Sequence, residues 1–422
     1  MSRLGMMNLE AAADVTMLRM ASRVRAREWA TTIALAVLVF ASFATALTVT
    51  GGLVADDAGA TPKLYHLILA VMGVIVLARG RLVLPPPEAV IYFATTILAA
   101  GLAYVAFTPR VAGIKLLIAL YTLVTATVVG RGLSPVSLLR GCRLGSAAFL
   151  AAVTVKNALH VQAFVLWLAS PLGHPDVPSL AGGGLNLEAT WLAVASAFFI
   201  GSMMFVPFAI GAAATAALYA SRAGVLIAGL IVVAALLKAI AERQAKTGDR
   251  PTRSHARRLT WLVVTSLTVV AAVVATARVK QYGDTTYVAQ RFATIGEEPG
   301  SMGRITLWRG GLAVFAEFPL GVGAGNAVPM LRRVLGVDVP EDNLHNMYLQ
   351  HAVEAGIPGL AALLLLAGAV ALRVVRSRFR DPLLIFVAAY FVAGVIQFTA
   401  VDAALWLVYG LQWGASGGST SG

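Results

Sequence analysis

The chain has 422 residues, of which 59% are hydrophobic and only 13% are charged, and its mean hydropathy is +0.80. This composition excludes a soluble globular domain, because so apolar a chain needs lipid as its solvent. The formal net charge of +13 comes from basic residues in short clusters between apolar runs, a pattern that favours membrane topology signals over a nucleic-acid partner. The single cysteine, Cys142, excludes an internal disulfide and a cysteine-based metal site.

Apolar runs recur along the whole chain, and at roughly 20 residues per helical span they predict about 12 spans. We therefore expect an all-α, polytopic integral membrane protein with one domain over residues 1–415, whereas the Gly/Ser/Thr-rich residues 416–422 resemble a linker or tag remnant. The predicted runs are 29–54, 64–78, 90–107, 112–129, 145–168, 188–206, 207–220, 223–241, 259–277, 347–372, 382–399 and 403–413. The interval 188–241 is ambiguous, since Pro207 and Gly211 could mark either a loop or a kink.

The basic clusters give these predicted helices a consistent orientation. They follow only even numbers of predicted spans, so the positive-inside rule assigns all of them to the cytoplasmic side. The clusters are 19–27, 79–81, 131–143, 243–258 and 373–380. This topology leaves one long outer, periplasmic loop, 278–345, in which the pattern of 305–318 predicts a helix lying at the membrane interface.

A glycine-rich segment follows that interfacial helix. Gly321, Gly323 and Gly325 come after Pro319, and glycine gives the backbone the freedom that an anion-binding turn requires. A flexible turn would use the same residues. The pattern itself leaves both interpretations open.

Several motifs in the second half of the chain carry a family resemblance. They are Arg-Ile-Thr-Leu-Trp at 304–308, Pro-Leu-Gly-Val-Gly-Ala-Gly-Asn at 319–326, and His-Asn-Met-Tyr-Leu at 345–349 followed by Glu354, Gly356 and Gly359. In this order and spacing they resemble the lipopolysaccharide O-antigen ligase and polymerase superfamily. The segment 221–224 is similar to the family's Ser-Arg-Gly turn, with Ala223 in place of the usual glycine.

The resemblance implies a multi-pass enzyme of the bacterial inner membrane whose active site faces the periplasm. Its partners would be a glycan linked to undecaprenyl pyrophosphate, the lipid A core that accepts the glycan at a sugar hydroxyl, and membrane lipids. We therefore expect an O-antigen ligase, a glycosyltransferase that needs no cofactor. An O-antigen polymerase, a protein O-oligosaccharyltransferase and a non-enzymatic transporter of the lipid-linked glycan remain alternatives.

His345 is the candidate general base, because an acceptor hydroxyl is a poor nucleophile until its proton is removed. It lies where the long loop ends and the next apolar run begins. Glu341 and Asp342 are close enough in sequence to orient its imidazole. Position alone would favour a helix-capping or interfacial histidine, whereas the resemblance favours the base.

The departing pyrophosphate needs positive charge, which either a metal ion or fixed cations can provide. The sequence has no convincing metal motif, so we expect arginines to provide the charge. A guanidinium group binds two phosphate oxygens at once and stays charged. The candidates are Arg222, Arg291 and Arg304, with Arg309 in a secondary position. These residues predict metal-independent transfer with inversion at the anomeric carbon, since no nucleophilic carboxylate can be assigned.

Other polar residues in apolar runs are candidates for a cavity or for supporting contacts. Lys156 and His160 lie four residues apart near the middle of the fifth run, where a charge is costly unless it faces the bundle interior or water. They would line a substrate cavity or join helices structurally. His351 and Glu354 follow His345 by one to two turns, and Asp402, in the turn between the last two runs, could pair with an arginine.

Overall fold

The computed structural model describes residues 22, 24, 26–47, 63–79, 83–104, 112–169, 176–244, 299–336 and 343–417. These residues form helices joined by turns, so the all-α prediction is confirmed for them. The helices are α1 (Ala26–Phe43), α2 (Leu64–Arg79), α3 (Pro87–Tyr104), α4 (Ala112–Gly130), α5 (Pro135–Leu159), α6 (Val161–Ala169), α7 (Leu185–Ala195), α8 (Phe205–Leu218), α9 (Arg222–Gln244), α10 (Pro299–Glu317), α11 (Ala327–Leu335), α12 (Met347–Arg376), α13 (Pro382–Ala393) and α14 (Ala403–Gly417). A short 3₁₀ helix, Ser196–Phe199, continues α7.

Most predicted apolar runs coincide with one helix each, with two differences. The fifth run is divided between α5 and α6, which meet at His160. The ambiguous interval contains three α-helices, with Pro207 in the first turn of α8 and Gly211 inside that helix. Neither residue marks the loop, which instead comprises residues 200–204. The run 259–277 lies outside the described residues.

Four of the described helices are long and apolar enough to cross a membrane, by length and composition. They are Ala26–Phe43, Pro135–Leu159, Arg222–Ala239 and Met347–Arg376, and several apolar helices of 10–17 residues accompany them. The chain is thus a multi-pass membrane protein, whereas the count of 12 spans stays a prediction.

Contacts between α12, α13 and α14 define two ends of the bundle. At one end the Met347 amide donates to the Gly394 carbonyl at 2.6 Å, so α12 begins where α13 stops. At the other end Asp381 accepts from Gln412 Nε2 at 3.0 Å. We name these the His345 end and the Asp381 end. The same arrangement makes α12 and α13 antiparallel.

Aromatic packing in the core assigns α7 and α9 a direction within this bundle. The Trp191 ring of α7 lies 4.5 Å from the ring of Phe398, which follows α13. The Phe198 ring, in the 3₁₀ helix that continues α7, instead lies 4.5 Å from the ring of Phe386 near the start of α13. The start of α7 therefore faces the His345 end. Ser221 precedes α9 and its Oγ lies 3.5 Å from the Asn186 carbonyl at the start of α7, so α9 begins at that end too.

The pair α10 and α11 packs on α12 through a separate small apolar cluster. Leu307, Val314, Leu331 and Leu344 are among its buried members. The helix predicted over 305–318 is therefore present, although it begins earlier, at Pro299. α11 is amphipathic and ends at Gly336 in the left-handed conformation that glycine adopts without strain.

The glycine segment is bonded to a break in α12. Gly356 interrupts that helix with φ 68° and ψ −167°, which frees the carbonyls of the preceding turn. The amides of Val322 and Gly323 donate to the carbonyls of Val353 and Glu354, each at 2.9 Å. The Gly321 amide donates to the Phe318 carbonyl at 2.9 Å, and the Gly325 backbone lies against the Glu354 side chain. These contacts favour a segment that is docked on α12 over an anion-binding or a free turn, because protein carbonyls accept from the Gly321 and Gly323 amides.

Candidate functional site

The indole of Trp308 connects α10 to the residue before His345. Its Nε1–H donates a hydrogen bond of 2.8 Å to the Leu344 carbonyl. Leu344 is fully buried in the cluster between α10, α11 and α12. The motif at 304–308 therefore bonds to the residue immediately before the motif at 345–349.

His345 adopts a left-handed backbone conformation, with φ 50°. Such a φ is uncommon outside glycine and costs about 1–3 kcal/mol, so neighbouring contacts must hold it. Asn343 Oδ1 accepts from the His345 amide at 2.8 Å, and Gln350 Oε1 lies 3.4 Å from the Leu344 amide. The half-buried imidazole thus projects from a backbone held by side chains on both sides.

Arg304 extends from α10 to the turn between α13 and α14. Its Nη2 lies 3.4 Å from Oε1 of the buried Gln397. In the same turn Asp402 accepts from the Tyr390 hydroxyl and from the Thr399 amide at 3.2 Å. Asp402 therefore stabilises the turn that Arg304 contacts, and its direct pairing with an arginine stays a prediction.

Arg222 is the first residue of α9, at the His345 end. A left-handed Ala220, with φ 51°, closes the preceding turn. Ser221 then caps the new helix, because its Oγ accepts from the Gly224 amide at 3.2 Å. The Ser-Arg turn identified in the sequence is thus a helix N-terminus that carries a half-buried arginine.

The remaining pyrophosphate candidates divide into two groups. Arg309, the residue after Trp308, is exposed on α10. Arg291 lies outside the described residues, as do Glu341 and Asp342, the predicted neighbours of His345. Their contributions stay predictions.

Lys156 lies elsewhere than predicted: it is in the last turn of α5, not in the middle of a span. Its Nζ lies 2.6 Å from Oε1 of Glu188, and the two side chains are 8% and 0% exposed. The Tyr219 hydroxyl is 2.5 Å from the same carboxylate oxygen and 2.7 Å from Oδ1 of Asn157. This is the pairing that a buried charge requires.

Glu188 also holds the loop before α7. Its Oε2 accepts from the Leu180 amide at 2.6 Å and lies 3.3 Å from the Ser179 hydroxyl. His160 Nδ1 lies 2.8 Å from the Lys156 carbonyl at the end of α5. These contacts favour the structural interpretation of Lys156 and His160, as a junction of helices, over a cavity lining.

His351 and Glu354 each contact other parts of the fold. His351 Nε2 lies 3.1 Å from the Thr96 hydroxyl, and its ring stacks on Tyr92 of α3 at 5.1 Å. Glu354 accepts from Gln350 Nε2 at 3.1 Å. His351 therefore joins two helices, whereas Glu354 connects the glycine segment with the side chain that contacts Leu344.

Several residues of this region were missed in the sequence. Trp308 belongs to a recognised motif, and its role as a donor could have been inferred from its polar N–H. Glu188 is an isolated acid at the start of an apolar run, a signal for a cationic partner such as Lys156. Gln397 and Gln350 carry no signal that distinguishes them from other glutamines.

The site can supply an imidazole and at least two guanidinium groups at one end of the bundle. Within the described part of the chain, no group of three or more His, Cys, Asp or Glu side chains could hold a metal ion. Arg222 and Arg304 are groups of the kind that bind an anionic lipid headgroup.

Comparison with known proteins gives a match for part of the chain. No curated protein matches the chain. A family model described as O-Antigen ligase matches residues 207–364, which include Arg222, Arg304 and His345. This match supports the O-antigen ligase/polymerase superfamily that the motifs predicted, over the matched segment.

Proposed function

We propose that this protein is a lipopolysaccharide O-antigen ligase of the bacterial inner membrane. It transfers a glycan from undecaprenyl pyrophosphate to a sugar hydroxyl of the lipid A core, at a site in the periplasm. The observation that carries the proposal is that the motif at 304–308 lies at the His345 end, where Trp308 bonds to Leu344, the residue before His345, and Arg304 contacts Gln397.

In this mechanism His345 removes the proton of the acceptor hydroxyl. The hydroxyl oxygen then forms a bond to the anomeric carbon of the donor, and the bond from that carbon to the pyrophosphate oxygen breaks. The electron pair leaves with the lipid pyrophosphate, and the proton stays on the imidazole. A single displacement of this kind inverts the anomeric carbon.

Arginines offset the charge that develops on the departing pyrophosphate. Arg304 serves from α10 and Arg222 from the N-terminus of α9, where the helix dipole adds a partial positive charge. Arg291 and Arg309 complete the set of cations in this proposal. Fixed guanidinium groups make the reaction independent of a divalent metal.

Reconstitution tests the proposed activity. Purified protein in phospholipid nanodiscs is incubated with undecaprenyl-pyrophosphate-linked glycan and with lipopolysaccharide that lacks O-antigen, with and without EDTA. We expect glycan-capped lipopolysaccharide at equal rates in both. His345→Gln should lower the rate by about 10²–10⁴-fold, and Arg304→Ala by about 10²-fold.

The controls separate this function from its alternatives. Arg333→Ala changes an exposed arginine of α11 and should leave the rate unaltered. Replacing the lipopolysaccharide by a second lipid-linked glycan or by a pilin-type protein tests the polymerase and protein-glycosylating alternatives. Transfer at the wild-type rate by His345→Gln would remove the base from the proposal, and lipid movement without product would indicate a transporter.

A further inference from the structure

We infer that Trp308 is a positioning residue for His345, which it holds through the Leu344 peptide. This inference rests on the proposed function, because it concerns the geometry of the proposed base. Trp308 does not need to touch substrate. Its task is to keep the backbone that carries the imidazole in one conformation.

The contacts of Leu344 account for this role. Its carbonyl accepts from Trp308 Nε1 at 2.8 Å, and its amide faces Gln350 Oε1 at 3.4 Å. Both polar groups of the residue before His345 are therefore bonded to side chains from two different helices, α10 and α12. A backbone held in this way resists rotation of the peptide plane between Leu344 and His345.

The strain at His345 makes such a restraint necessary. Its φ of 50° is a conformation that a residue with a Cβ leaves unless surrounding structure over-determines it. Asn343 holds the His345 amide, and the Trp308 bond holds the preceding carbonyl. Without the indole donor the buried Leu344 carbonyl would lose its partner, and the turn would relax towards other backbone conformations.

Close packing makes the restraint stiff. Gly311 lies one turn after Trp308, and a Cβ at this position would stand 3.0 Å from Leu344 Cδ1 and 3.1 Å from Leu349 Cδ2. α10 therefore lies directly against the residues on both sides of His345. Movement of about 1 Å at a reacting group can lower a rate about 10²-fold, so a stiff support has a kinetic effect.

Trp308→Phe tests the inference, because it keeps an aromatic ring and removes only the indole N–H donor. We expect kcat in the reconstituted assay to fall about 10–100-fold, with the KM values for donor and acceptor unchanged. The matched control is Trp413→Phe, which removes an indole donor to another backbone carbonyl, that of Leu84, at 3.2 Å. It should leave kcat unchanged.

A double-mutant cycle distinguishes positioning from general stability. In a His345→Gln background, Trp308→Phe should cause no further loss of the residual rate, since the base it positions is already absent. Equal kcat values for Trp308→Phe and wild type, or a full additional loss in the double variant, would overturn the inference. An inactive wild type would instead count against the proposed function itself.

A second variant covers the case in which Trp308→Phe does not fold. Gln350→Met removes the opposite contact to Leu344 and keeps the length of the side chain. It should lower kcat in the same direction, and should also increase the rate at which diethyl pyrocarbonate modifies His345, measured by mass spectrometry of that peptide. Unchanged kcat and unchanged modification in this variant would contradict the inference.

Discussion

At the scale of single residues, a buried lysine of this protein is paired with a buried glutamate. Lys156 and Glu188 lie 2.6 Å apart with almost no exposure, and Tyr219 closes the group from the end of α8. Removing one partner of such a pair strands the other charge in an apolar interior. The group therefore connects three helices through one carboxylate.

Glu188→Gln should destabilise the protein by about 3–5 kcal/mol, because it leaves the Lys156 ammonium buried without a counter-charge. The expected readout is a clear fall in Tm in detergent, which a second change, Lys156→Met, should partly reverse. The control is Glu242→Gln, since Glu242 pairs with Lys238 at 3.9 Å near the surface and such pairs contribute about 0–1 kcal/mol. A Tm for Glu188→Gln no lower than that of the control would contradict this account.

The sequence identified candidate polar residues through motifs, but not the partners that surround them. His345, Arg304 and Arg222 lie within the segment that the family model matches, and their roles stay predictions. The position of Lys156 was wrong, because hydropathy merges α5 and α6 into one run and hides the break at His160. Partners such as Gln397 come from distant segments, and a local pattern contains no information about which segments will meet.

At the scale of elements, α12 owes its shape to an exchange of backbone hydrogen bonds. Gly356 breaks the helix, the glycine segment donates to the freed carbonyls, and the Ile357 amide donates back to the Pro319 carbonyl at 2.8 Å. Pro358 follows in the first turn of the second part, where a missing amide is tolerated. The break in α12 is therefore the place where the glycine segment binds. Hydropathy alone predicts this helix as one continuous run.

Gly356→Ala should destabilise the protein strongly. Its backbone conformation alone costs of order 1–3 kcal/mol for a residue with a side chain, and a Cβ would lie 2.3 Å from the carbonyl carbon of Leu320. Gly368→Ala, in the same helix, meets nothing within 4 Å and should instead stabilise by roughly 0.5–1 kcal/mol. Thermal unfolding of the two variants should therefore shift in opposite directions. A shift in the same direction would show that the break is not held as described.

At the scale of the whole molecule, the two ends of the bundle differ in chemistry. The Asp381 end carries the exposed basic side chains of Arg376, Arg378 and Arg380, and the His345 end carries the strained histidine. Charge counting in the sequence predicts that the Asp381 end is cytoplasmic, because positive residues mark the cytoplasmic ends of membrane helices, and this orientation stays a prediction. Hydropathy does not fix the number of spans, since several described apolar helices are shorter than a full crossing.

Thiol labelling tests the predicted orientation. Cys142 is buried, so a single introduced cysteine can be read without interference. Asp176→Cys, in the exposed loop before α7, should react with a membrane-impermeant maleimide in intact spheroplasts. Arg380→Cys should react only after the membrane is permeabilised. The reverse pattern would contradict a periplasmic site.

The dependence of the His345 end on the last two helices has a consequence for biosynthesis. The Met347 amide bonds to Gly394, and the Arg304 guanidinium contacts Gln397, yet both acceptors are translated only after the motifs they support. A nascent polypeptide released before residue 394 would carry every recognised motif. It would still lack the two acceptor groups that bind them. We therefore expect premature termination late in the message to yield inserted but inactive product, so that incomplete molecules consume no lipid-linked glycan.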